Sequence, residues 1–462
     1  MSNKLERKFG LFTAICMVVG IVIGSGVFFK AQTILEKTGG DMPLGILAWI
    51  IGGAIMLVCL LTFSQMGQRY ERVNGLVDYA EATCGPKFGY FMGWFSATIY
   101  FPGMTSALAW LSARYTLEFI TSANPNFPMS IPVAQGGCII GPECMALTLF
   151  YLCAVYAMNV LSPKLAGKFQ ASTTVIKLIP LGLMAVVGLI YGIVSGTLQQ
   201  NMTVAAEVTT VAKSPLFAAV CATAFAYEGW IIATSVNAEI KDSKKNLPKA
   251  LVLGGFVIVA VYLLYYIGVA GSVSNQELIE KGATVAFTKI FGGVFGNILN
   301  LFIAISCLGT TNGLMLGCTR CMYSIAARGE GPDPETFEQV DPKTNMPGNS
   351  AVFSLLVTAA WFLYFYASNL AGIWKGAFVF DSTELPIITI YLMYLPMLVQ
   401  WMRKEKALGV TKRFILPILS MCGSVFMVVA CIFSHRMGVV WYLIVFAVIM
   451  TIGLLVDKKK IH

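Results

Sequence analysis

The sequence predicts an all-α polytopic membrane protein, and two observations support this fold class. Hydrophobic residues make up 57% of the 462 residues and charged residues only 12%, whereas an ordinary soluble domain carries about twice that charged fraction. The chain also contains repeated uncharged runs of about 20 residues, each long enough to cross about 30 Å of hydrocarbon. A soluble fold has no interior for so many such runs, so the soluble class is excluded.

Twelve candidate membrane spans follow one another, and no loop between them is long enough for a separate soluble domain. Their approximate ranges are 10–34, 43–65, 88–112, 144–162, 170–196, 214–238, 249–272, 293–318, 350–368, 378–400, 414–433 and 437–456. The stretch QMGQRYERVNGLVDYAEATCG before span 3 mixes charged and apolar residues, which favours a short interfacial helix. Residues 1–462 are therefore predicted to form a single membrane domain.

The placement of Lys and Arg predicts the orientation. An even number of spans puts both termini on one side of the membrane. Of the 32 Lys and Arg residues, 23 lie in segments on that side and 8 on the other, with Lys177 inside a span. Because cytoplasmic loops are enriched in Lys and Arg, both termini are predicted to be cytoplasmic, in a cell (inner or plasma) membrane. The net charge of +9 lies mainly in these loops, so nucleic-acid binding is not expected.

Span 1 contains an unusual run of small residues, Gly20-Ile-Val-Ile-Gly24-Ser25-Gly26. Glycine inside a helix costs about 1 kcal/mol relative to alanine. In lipid, unpaired backbone is tolerated only where it lines a cavity or packs into protein. The run therefore predicts either a break in the helix or a close helix contact through small residues.

Span 6 favours a break. It reads Ala224-Phe225-Ala226-Tyr227-Glu228-Gly229-Trp230, with an acid and a glycine in its middle. Spans 1 and 6 open two predicted five-span repeats, at about 10–196 and 214–400, with peripheral spans at about 414–456. Because five is odd, the repeats are inverted. Broken helices at equivalent positions indicate the central site of a transporter, where N–H groups suit a carboxylate and C=O groups an ammonium, as in a zwitterion.

These residues resemble a known family. The motifs GSGVF of span 1, FAYEGW of span 6 and the following EIKDSKKNLPKA are similar to those of the amino acid–polyamine–organocation superfamily. Within it, the chain resembles the L-type amino acid transporter family, and in particular its bacterial serine/threonine exchangers. Further matches are Lys177 in TTVIKLIP, and Asn312-Gly313 followed by RGEGP. The likeness covers roughly residues 8–345, while the last spans match only in hydropathy.

The resemblance implies a LeuT-type fold with ten core and two peripheral spans. It implies that a substrate carboxylate meets the break at Ile23, Gly24, Ser25 and Gly26, and that the amine meets carbonyls of spans 1 and 6, near Phe225, Ala226 and Glu228. It also implies that Phe225 is a thin outer gate. Lys177 would stand near the ion site of sodium-coupled relatives and tie span 1 to span 8, which implies sodium-independent exchange of neutral L-amino acids. Glu228 departs from the glycine of animal members.

Two of the ionisable residues inside predicted spans, Lys177 and Glu228, are candidate functional residues. An ionisable side chain there costs about 2.5–3.5 kcal/mol on insertion scales, so a functional role is the default interpretation. The alternative for Lys177 is that span 5 begins later and the side chain snorkels to the surface. Glu228 could pair with a basic residue, contact a polar or cationic substrate, bind a transported proton, or stand hydrated in an open vestibule.

Other candidates depend on packing that a sequence does not show. Phe225 and Trp230 could simply pack in the core. Asn312, with Thr310 and Thr311, forms a polar cluster in span 8 that either lines the cavity or bonds between helices. Tyr100, Phe101 and Pro102 interrupt span 3 and are candidates for the wall of the substrate pocket.

An exchanger of neutral amino acids is the leading functional hypothesis. The alternative is a proton-coupled symporter of amino acids or amines that uses Glu228, and a sensor that binds without transport is a third. An enzyme is not expected, because His435 and His462 lack a metal or triad context and no phosphate loop or His-Glu-x-x-His motif is present. No catalytic residue, metal or cofactor is therefore predicted.

Two cysteines bear on partners. Cys138 and Cys144 lie in a predicted outer loop and could pair. The resemblance places them in the loop where animal relatives attach a heavy chain by a disulfide. A bacterial-type chain is expected to need no obligate protein partner besides its amino acid substrate and the surrounding membrane lipid.

Overall fold

The chain is almost entirely helical. The structure is a computed structural model and describes residues 7, 9–24, 26–70, 75–135, 137–203, 214–231, 234 and 240–457, within which no β-strand occurs. Ten helical segments in this part of the chain are long and apolar enough to cross a membrane. They are Leu11–Lys37, Met42–Arg69, Pro142–Leu161, Pro163–Val194, Ser243–Ser272, Gly293–Ala326, Gly348–Leu370, Glu384–Lys404, Thr411–His435 and Met437–Val456.

The first half of the chain forms helices α1 to α12. They are α1 (Leu11–Val22), α2 (Gly26–Lys37), α3 (Met42–Arg69), α4 (Gly75–Cys84), α5 (Pro86–Phe95), α6 (Phe101–Ala123), α7 (Gly137–Ile140), α8 (Pro142–Leu161), α9 (Pro163–Leu183), α10 (Leu189–Val194), α11 (Thr197–Thr203) and α12 (Pro215–Tyr227). One π-helical turn, Ser96–Tyr100, joins α5 to α6, and another, Met184–Gly188, joins α9 to α10.

The helices of the second half complete the bundle. They are α13 (Ser243–Ser272), α14 (Asn275–Lys281), α15 (Ala283–Phe291), α16 (Gly293–Ala326), α17 (Pro334–Phe337), α18 (Gly348–Tyr364), α19 (Glu384–Lys404), α20 (Leu416–His435) and α21 (Met437–Val456). Helix α16 packs along α6 and α9, and α13 packs along α3 and α1. Helix α21 lies at the edge, because of its 20 residues only Tyr442, Met450 and Gly453 are buried.

The span count differs from the sequence prediction at two places. The predicted span 3, 88–112, lies inside one helical run from α5 through the π-helical turn to α6, and the predicted span 6 contains the short helix α12. Neither is among the ten segments above, so the count of twelve and the five-plus-five repeat remain predictions. The interruption expected at Tyr100-Phe101-Pro102 is wrong, since the π-helical turn ends at Tyr100 and α6 runs through Pro102. A π-bulge accommodates such a residue without breaking the helix.

The interfacial helix predicted before span 3 forms as α4, but it does not lie on a surface. Leu76, Val77, Asp78 and Tyr79 are all buried. The carboxylate of Asp78 accepts a hydrogen bond from Arg328, whose Nε also lies 2.9 Å from an oxygen of Glu81. Two of the charged residues that suggested an interface, Asp78 and Glu81, therefore anchor α4 to the segment just after α16.

The break in span 1 is present. Helix α1 ends at Val22 and α2 begins at Gly26, while Ser25 lies outside the described residues. Gly26 packs directly on α12, because a Cβ atom at this position would lie 2.8 Å from Cα of Ala226. Both interpretations of the small-residue run are therefore correct, since the glycines permit a break and a close helix contact.

Candidate functional site

A small central cavity lies between the two broken helices. Its wall combines the first break, the end of α12, and one face each of α6 and α16. The lining residues are Ile21, Val22, Gly24, Gly26, Met104, Leu108, Phe225, Glu228, Gly229, Thr310 and Leu314. Most of this surface is apolar, with glycine backbone on one side and Glu228 and Thr310 as the polar side chains. Such a mixture is typical of a small-molecule site.

Carbonyl groups of four residues at the first break accept hydrogen bonds from side chains. Thr310 Oγ1 donates to the oxygens of Gly20 and Ile23, each at 3.1 Å. Ser306 Oγ donates to the Gly24 oxygen at 3.2 Å, and Tyr262 Oη to the Val22 oxygen at 2.9 Å. Because an unpaired buried carbonyl costs free energy, these side chains from α13 and α16 stabilise the break.

Lys177 provides the charged contact to the same break. Its side chain is fully buried in α9, and Nζ donates to the oxygens of Gly20 at 2.7 Å and Ile23 at 2.5 Å. The oxygen of Ser306 and Oγ1 of Thr310 each lie 3.2 Å from Nζ. The ammonium group thus joins the end of α1 to α16, and the alternative that Lys177 snorkels to the surface is wrong.

Helix α2 begins at the central cavity. Gly26 is both its first residue and a lining residue. The first amide groups of a helix have no partner in a preceding turn, and they form a positive end that attracts anions. The break therefore places the amino-terminal end of α2 beside the cavity.

The second break begins where α12 ends at Tyr227. Glu228 is extended, with φ −78° and ψ 162°, and Gly229 has a φ of +104°, a left-handed conformation that favours glycine. Tyr227 Oη donates to the Trp49 oxygen at 3.1 Å and so ties this end to α3. The last carbonyls of a helix lack intrahelical partners, which makes this end an acceptor site for a cation.

Glu228 is buried in the same cavity. One carboxylate oxygen accepts a hydrogen bond from Tyr100 Oη, and the other has no hydrogen-bond partner within the described residues. No described basic residue forms an ion pair with it. Of the roles considered for Glu228, pairing with a basic side chain is therefore not supported by the structure.

Phe225 separates the central cavity from a second one, which we call the Lys30 vestibule. The lining residues of the Lys30 vestibule are Phe29, Lys30, Gln32, Thr33, Ala107, Trp110, Leu111, Arg114, Tyr115, Phe225, Phe365, Asp381, Thr383 and Glu384. Phe225 lines both cavities, and its ring centroid lies 5.8 Å from that of Phe29. A single aromatic side chain thus stands between them.

Sequence reasoning missed an ion pair in the Lys30 vestibule. Lys30 Nζ of α2 lies 2.7 Å from Glu384 Oε1 of α19, and the other oxygen of Glu384 lies 2.9 Å from Nε2 of His435. Lys30 Nζ also lies 5.5 Å from the ring centroid of Phe225. Lys30 and Glu384 both fall inside predicted spans. A charge inside the membrane is costly, so the argument that made Lys177 a candidate applies to these two residues as well.

Asn312 lies away from the central cavity. Its Oδ1 accepts from Asn159 Nδ2 at 2.9 Å, and its Nδ2 donates to the oxygen of Ala166 at 3.2 Å and to Gln170 Oε1 at 3.1 Å. These bonds join α8, α9 and α16 around a separate cavity that includes Thr13. The structure therefore supports the interhelical alternative for Asn312 and not contact with substrate.

The pocket wall on α6 also differs from the prediction. Tyr100 reaches the site only through Glu228, and Phe101 stacks edge-on against Tyr100 at 5.4 Å, so neither lines the cavity. Met104 and Leu108, one and two turns further along, form the wall instead. The α-helical spacing from Tyr100 was the available signal, but it does not say which turn faces the cavity.

Cys138 and Cys144 are free thiols in the structure. Cys138 lies in α7 and Cys144 in α8, and both side chains are buried. A disulfide between them was one possibility left open by the sequence, and the structure does not contain it.

Comparisons with known proteins show which family the chain belongs to. The family model described as "Amino acid permease" matches residues 9–455. The serine/threonine exchanger SteT of Bacillus subtilis is 27% identical over 94% of this chain and 93% of its own length. The human Asc-type amino acid transporter 1 is 26% identical over 71% of this chain and 60% of its own, and the human large neutral amino acids transporter small subunit 2 is 26% identical over 77% and 64%.

A solved structure shows the same fold. The crystal structure of MhsT in complex with L-phenylalanine superposes with a TM-score of 0.62, covering 96% of this chain and 99% of that one, at 13% identity. The fold is of the LeuT type, as the sequence predicted. The family model and the relatives identify the class as a membrane transporter and not an enzyme. The chain belongs to the amino acid permease family of the amino acid–polyamine–organocation superfamily.

Proposed function

We propose that this protein exchanges neutral L-amino acids across a cell membrane, independently of sodium, by alternating access. The observation that carries the proposal is the position of Lys177. Its ammonium group is surrounded by four oxygen atoms, from Gly20, Ile23, Ser306 and Thr310, at 2.5–3.2 Å. Oxygen cages of this kind suit hard metal cations. Here the side-chain nitrogen of Lys177 fills the cage, so a coupling cation has no vacancy to occupy.

The two helix breaks supply the zwitterion contacts. Amide groups at the start of α2, from Gly26 onward, suit the substrate carboxylate, and the carbonyls at the end of α12, near Ala226, suit its amine. Opposite partial charges at facing helix ends stabilise a zwitterion on both sides. Ile23 and Gly24 use their carbonyls elsewhere, so they shape the break, and Ser25 lies outside the described residues.

The side-chain pocket is apolar and small. Ile21, Met104, Leu108 and Leu314 line it together with Phe225, which suits a short or hydrophobic amino acid side chain. Each additional buried CH₂ contributes only about 0.8 kcal/mol, so selectivity within neutral amino acids is graded. The oxygen of Glu228 that has no partner within the described residues suits a polar hydrogen on a substrate such as a hydroxyl.

Phe225 acts as the thin gate between the substrate and the Lys30 vestibule. The Lys30–Glu384 pair links α2 to α19 above it, and rearrangement of these contacts opens the site to one side. The separate cavity that Thr13 and Asn312 line lies toward the other side of the membrane. The 23-to-8 distribution of Lys and Arg supports cytoplasmic termini, with the Lys30 vestibule facing outward.

The relatives support this choice of transport mode. The printed name of the Bacillus subtilis relative, which matches nearly the whole chain, describes a serine/threonine exchanger. The names of two human relatives describe amino acid transporters, one of them for large neutral amino acids. We further propose that residues about 10–196 and 214–400 form inverted repeats, and that the chain works without an obligate protein partner.

Liposomes loaded with or without unlabelled amino acid test the proposal. Labelled serine, alanine, leucine and glutamate are offered outside. Uptake that requires internal amino acid and favours the three neutral substrates is expected. Uptake into empty vesicles driven by an inward proton gradient would contradict exchange and would identify a symporter.

A further inference from the structure

Two cysteines and a histidine meet beside the Lys30 vestibule. Cys221 lies on α12 and Cys431 and His435 on α20, and one ligand atom from each of the three lies within 4.8 Å of the other two. Cys431 and His435 are four residues apart, which places them on the same face of a helix. Within the described part of the chain, this is the one such group of three potential metal ligands.

The chemistry of these side chains suits a soft divalent cation. Thiolate and imidazole ligands select ions such as Zn²⁺. A tetrahedral zinc with Zn–S bonds of about 2.3 Å holds its sulfur ligands about 3.8 Å apart, so a small rotation of the side chains completes the site. The thiols of Cys221 and Cys431 are buried, whereas the side chain of His435 is 18% exposed and gives an ion a route in.

A carboxylate already contacts the histidine of this group. Nε2 of His435 lies 2.9 Å from the carboxylate of Glu384. Metal-binding histidines generally donate one ring N–H to a carboxylate, which orients the ring and strengthens the other nitrogen as a ligand. With Nε2 engaged by Glu384, Nδ1 of His435 is the nitrogen left for the ion.

The group is connected to the gate through short contacts. Cys221 lies one helical turn before Phe225 on α12. Glu384, which contacts His435, also lies 2.7 Å from Lys30, whose ammonium lies 5.5 Å from the ring centroid of Phe225. An ion held between α12 and α20 would restrain both the helix that carries Phe225 and the carboxylate that holds Lys30.

We propose that Cys221, Cys431 and His435 form an inhibitory site for a soft divalent cation such as Zn²⁺ or Cd²⁺. Binding releases the two thiol protons to solvent and leaves two thiolates and a neutral imidazole on the ion. The occupied site ties α12 to α20 and slows movement of the Phe225 gate. The binding claim is independent of the proposed exchange, whereas the inhibition claim rests on it.

Cadmium titration of the purified protein tests the binding claim. A phosphine reductant keeps the thiols reduced, and thiolate-to-metal charge-transfer absorption is recorded together with equilibrium dialysis. We expect a site of one Cd²⁺ per chain that produces this absorption in the wild type. This absorption should be lost in the variants Cys221→Ser, Cys431→Ser and His435→Gln. In Glu384→Gln the affinity for Cd²⁺ should fall about 10–100-fold.

Cys422→Ser is the matched control, because Cys422 lies on the same helix with its side chain exposed. It should bind Cd²⁺ like the wild type. The same charge-transfer absorption in Cys431→Ser as in the wild type would overturn the proposal, and so would its loss in Cys422→Ser. Thermal unfolding without metal shows that the serine variants are folded.

Flux measurements test the inhibition claim. With Cd²⁺ added to liposomes, half-inhibition of amino acid exchange should need at least about tenfold more metal in Cys431→Ser than in the wild type and Cys422→Ser, which corresponds to about 1.4 kcal/mol. A chelator should restore the rate. Equal inhibition of all three proteins would overturn the inhibitory role. If the wild type binds Cd²⁺ as described but exchanges nothing, the site stands and the proposed transport function fails.

Discussion

Nζ of Lys177 lies 2.5 Å from the carbonyl oxygen of Ile23, the residue that directly follows the end of α1. This contact joins α9 to the first break, which borders the central cavity. It also places the side-chain nitrogen of Lys177 among four oxygen atoms.

Lys177→Met should reduce exchange at least about tenfold, because the carbonyls of Gly20 and Ile23 lose their charged donor and the break shifts. Thr310 has only one hydroxyl proton for the two carbonyls. The carbonyl left unsatisfied costs about 1–3 kcal/mol, so the temperature of unfolding should fall as well. Lys168→Met is the control, since Lys168 is exposed on the same helix. Equal exchange rates for the two variants would show that Lys177 has no role in transport.

Gly26→Ala should block transport. The new Cβ atom would lie 2.8 Å from Cα of Ala226, and neither backbone segment can yield without separating the two breaks. Displacement of a site by about 1 Å can cost about a hundredfold in rate. The matched control is Gly182→Ala on α9, where a Cβ atom meets nothing within 4 Å. Exchange at the wild-type rate in Gly26→Ala would contradict the close contact of α2 and α12.

Phe225→Ala should join the central cavity to the Lys30 vestibule, because Phe225 is the side chain that lines both. Substrate would then be held less tightly, so the KM for exchange should rise at least about tenfold through loss of a buried aromatic contact. Phe217→Ala serves as control, since Phe217 lies on the same helix but stacks on Phe426. An unchanged KM in Phe225→Ala would remove its role as a gate.

Lys30 and Glu384 should behave as a coupled pair. Their side chains are 8% and 12% exposed, and removing one partner of a buried pair leaves an uncompensated charge. We expect Lys30→Met to slow exchange more than the double variant with Glu384→Gln. The coupling in a double-mutant cycle of exchange rates should be about 0.5–3 kcal/mol. Strictly additive effects would show that the pair does not act together.

Glu228→Gln should retain exchange and remain insensitive to a proton gradient, because Tyr100 can still donate to the amide oxygen. The ratio of serine to leucine uptake should change, since the second carboxylate oxygen has no partner among the described residues and faces the substrate pocket. Proton-driven uptake in the wild type that disappears in Glu228→Gln would instead support the symporter.

The sequence predicted the features that oppose membrane insertion. The glycine run before Gly26, the acid at Glu228 and the charge of Lys177 each carry a local cost that a single sequence reveals. Asn312 illustrates the limit, because the same polar residue suits a cavity or a helix contact, and only the positions of Asn159 and Gln170 decide between them.

Contacts between distant segments were not predictable. Glu384 pairs with a lysine 354 residues away, and Cys221 meets a helix that begins almost two hundred residues later. These contacts follow from how the helices pack, which hydropathy does not encode. The π-helical turn before Phe101 was not predictable either. It changes which turn of α6 faces the cavity and brings Met104 to the cavity wall.

The sodium response of exchange tests the central claim most directly. Labelled serine is added outside liposomes that are loaded with unlabelled serine. The initial rate of uptake is measured at external sodium concentrations from zero to about 150 mM, with choline replacing sodium so that the ionic strength stays constant. Because the ammonium of Lys177 fills the oxygen cage, the initial rate should be the same at every sodium concentration. A rate that rises and saturates with sodium would contradict the account.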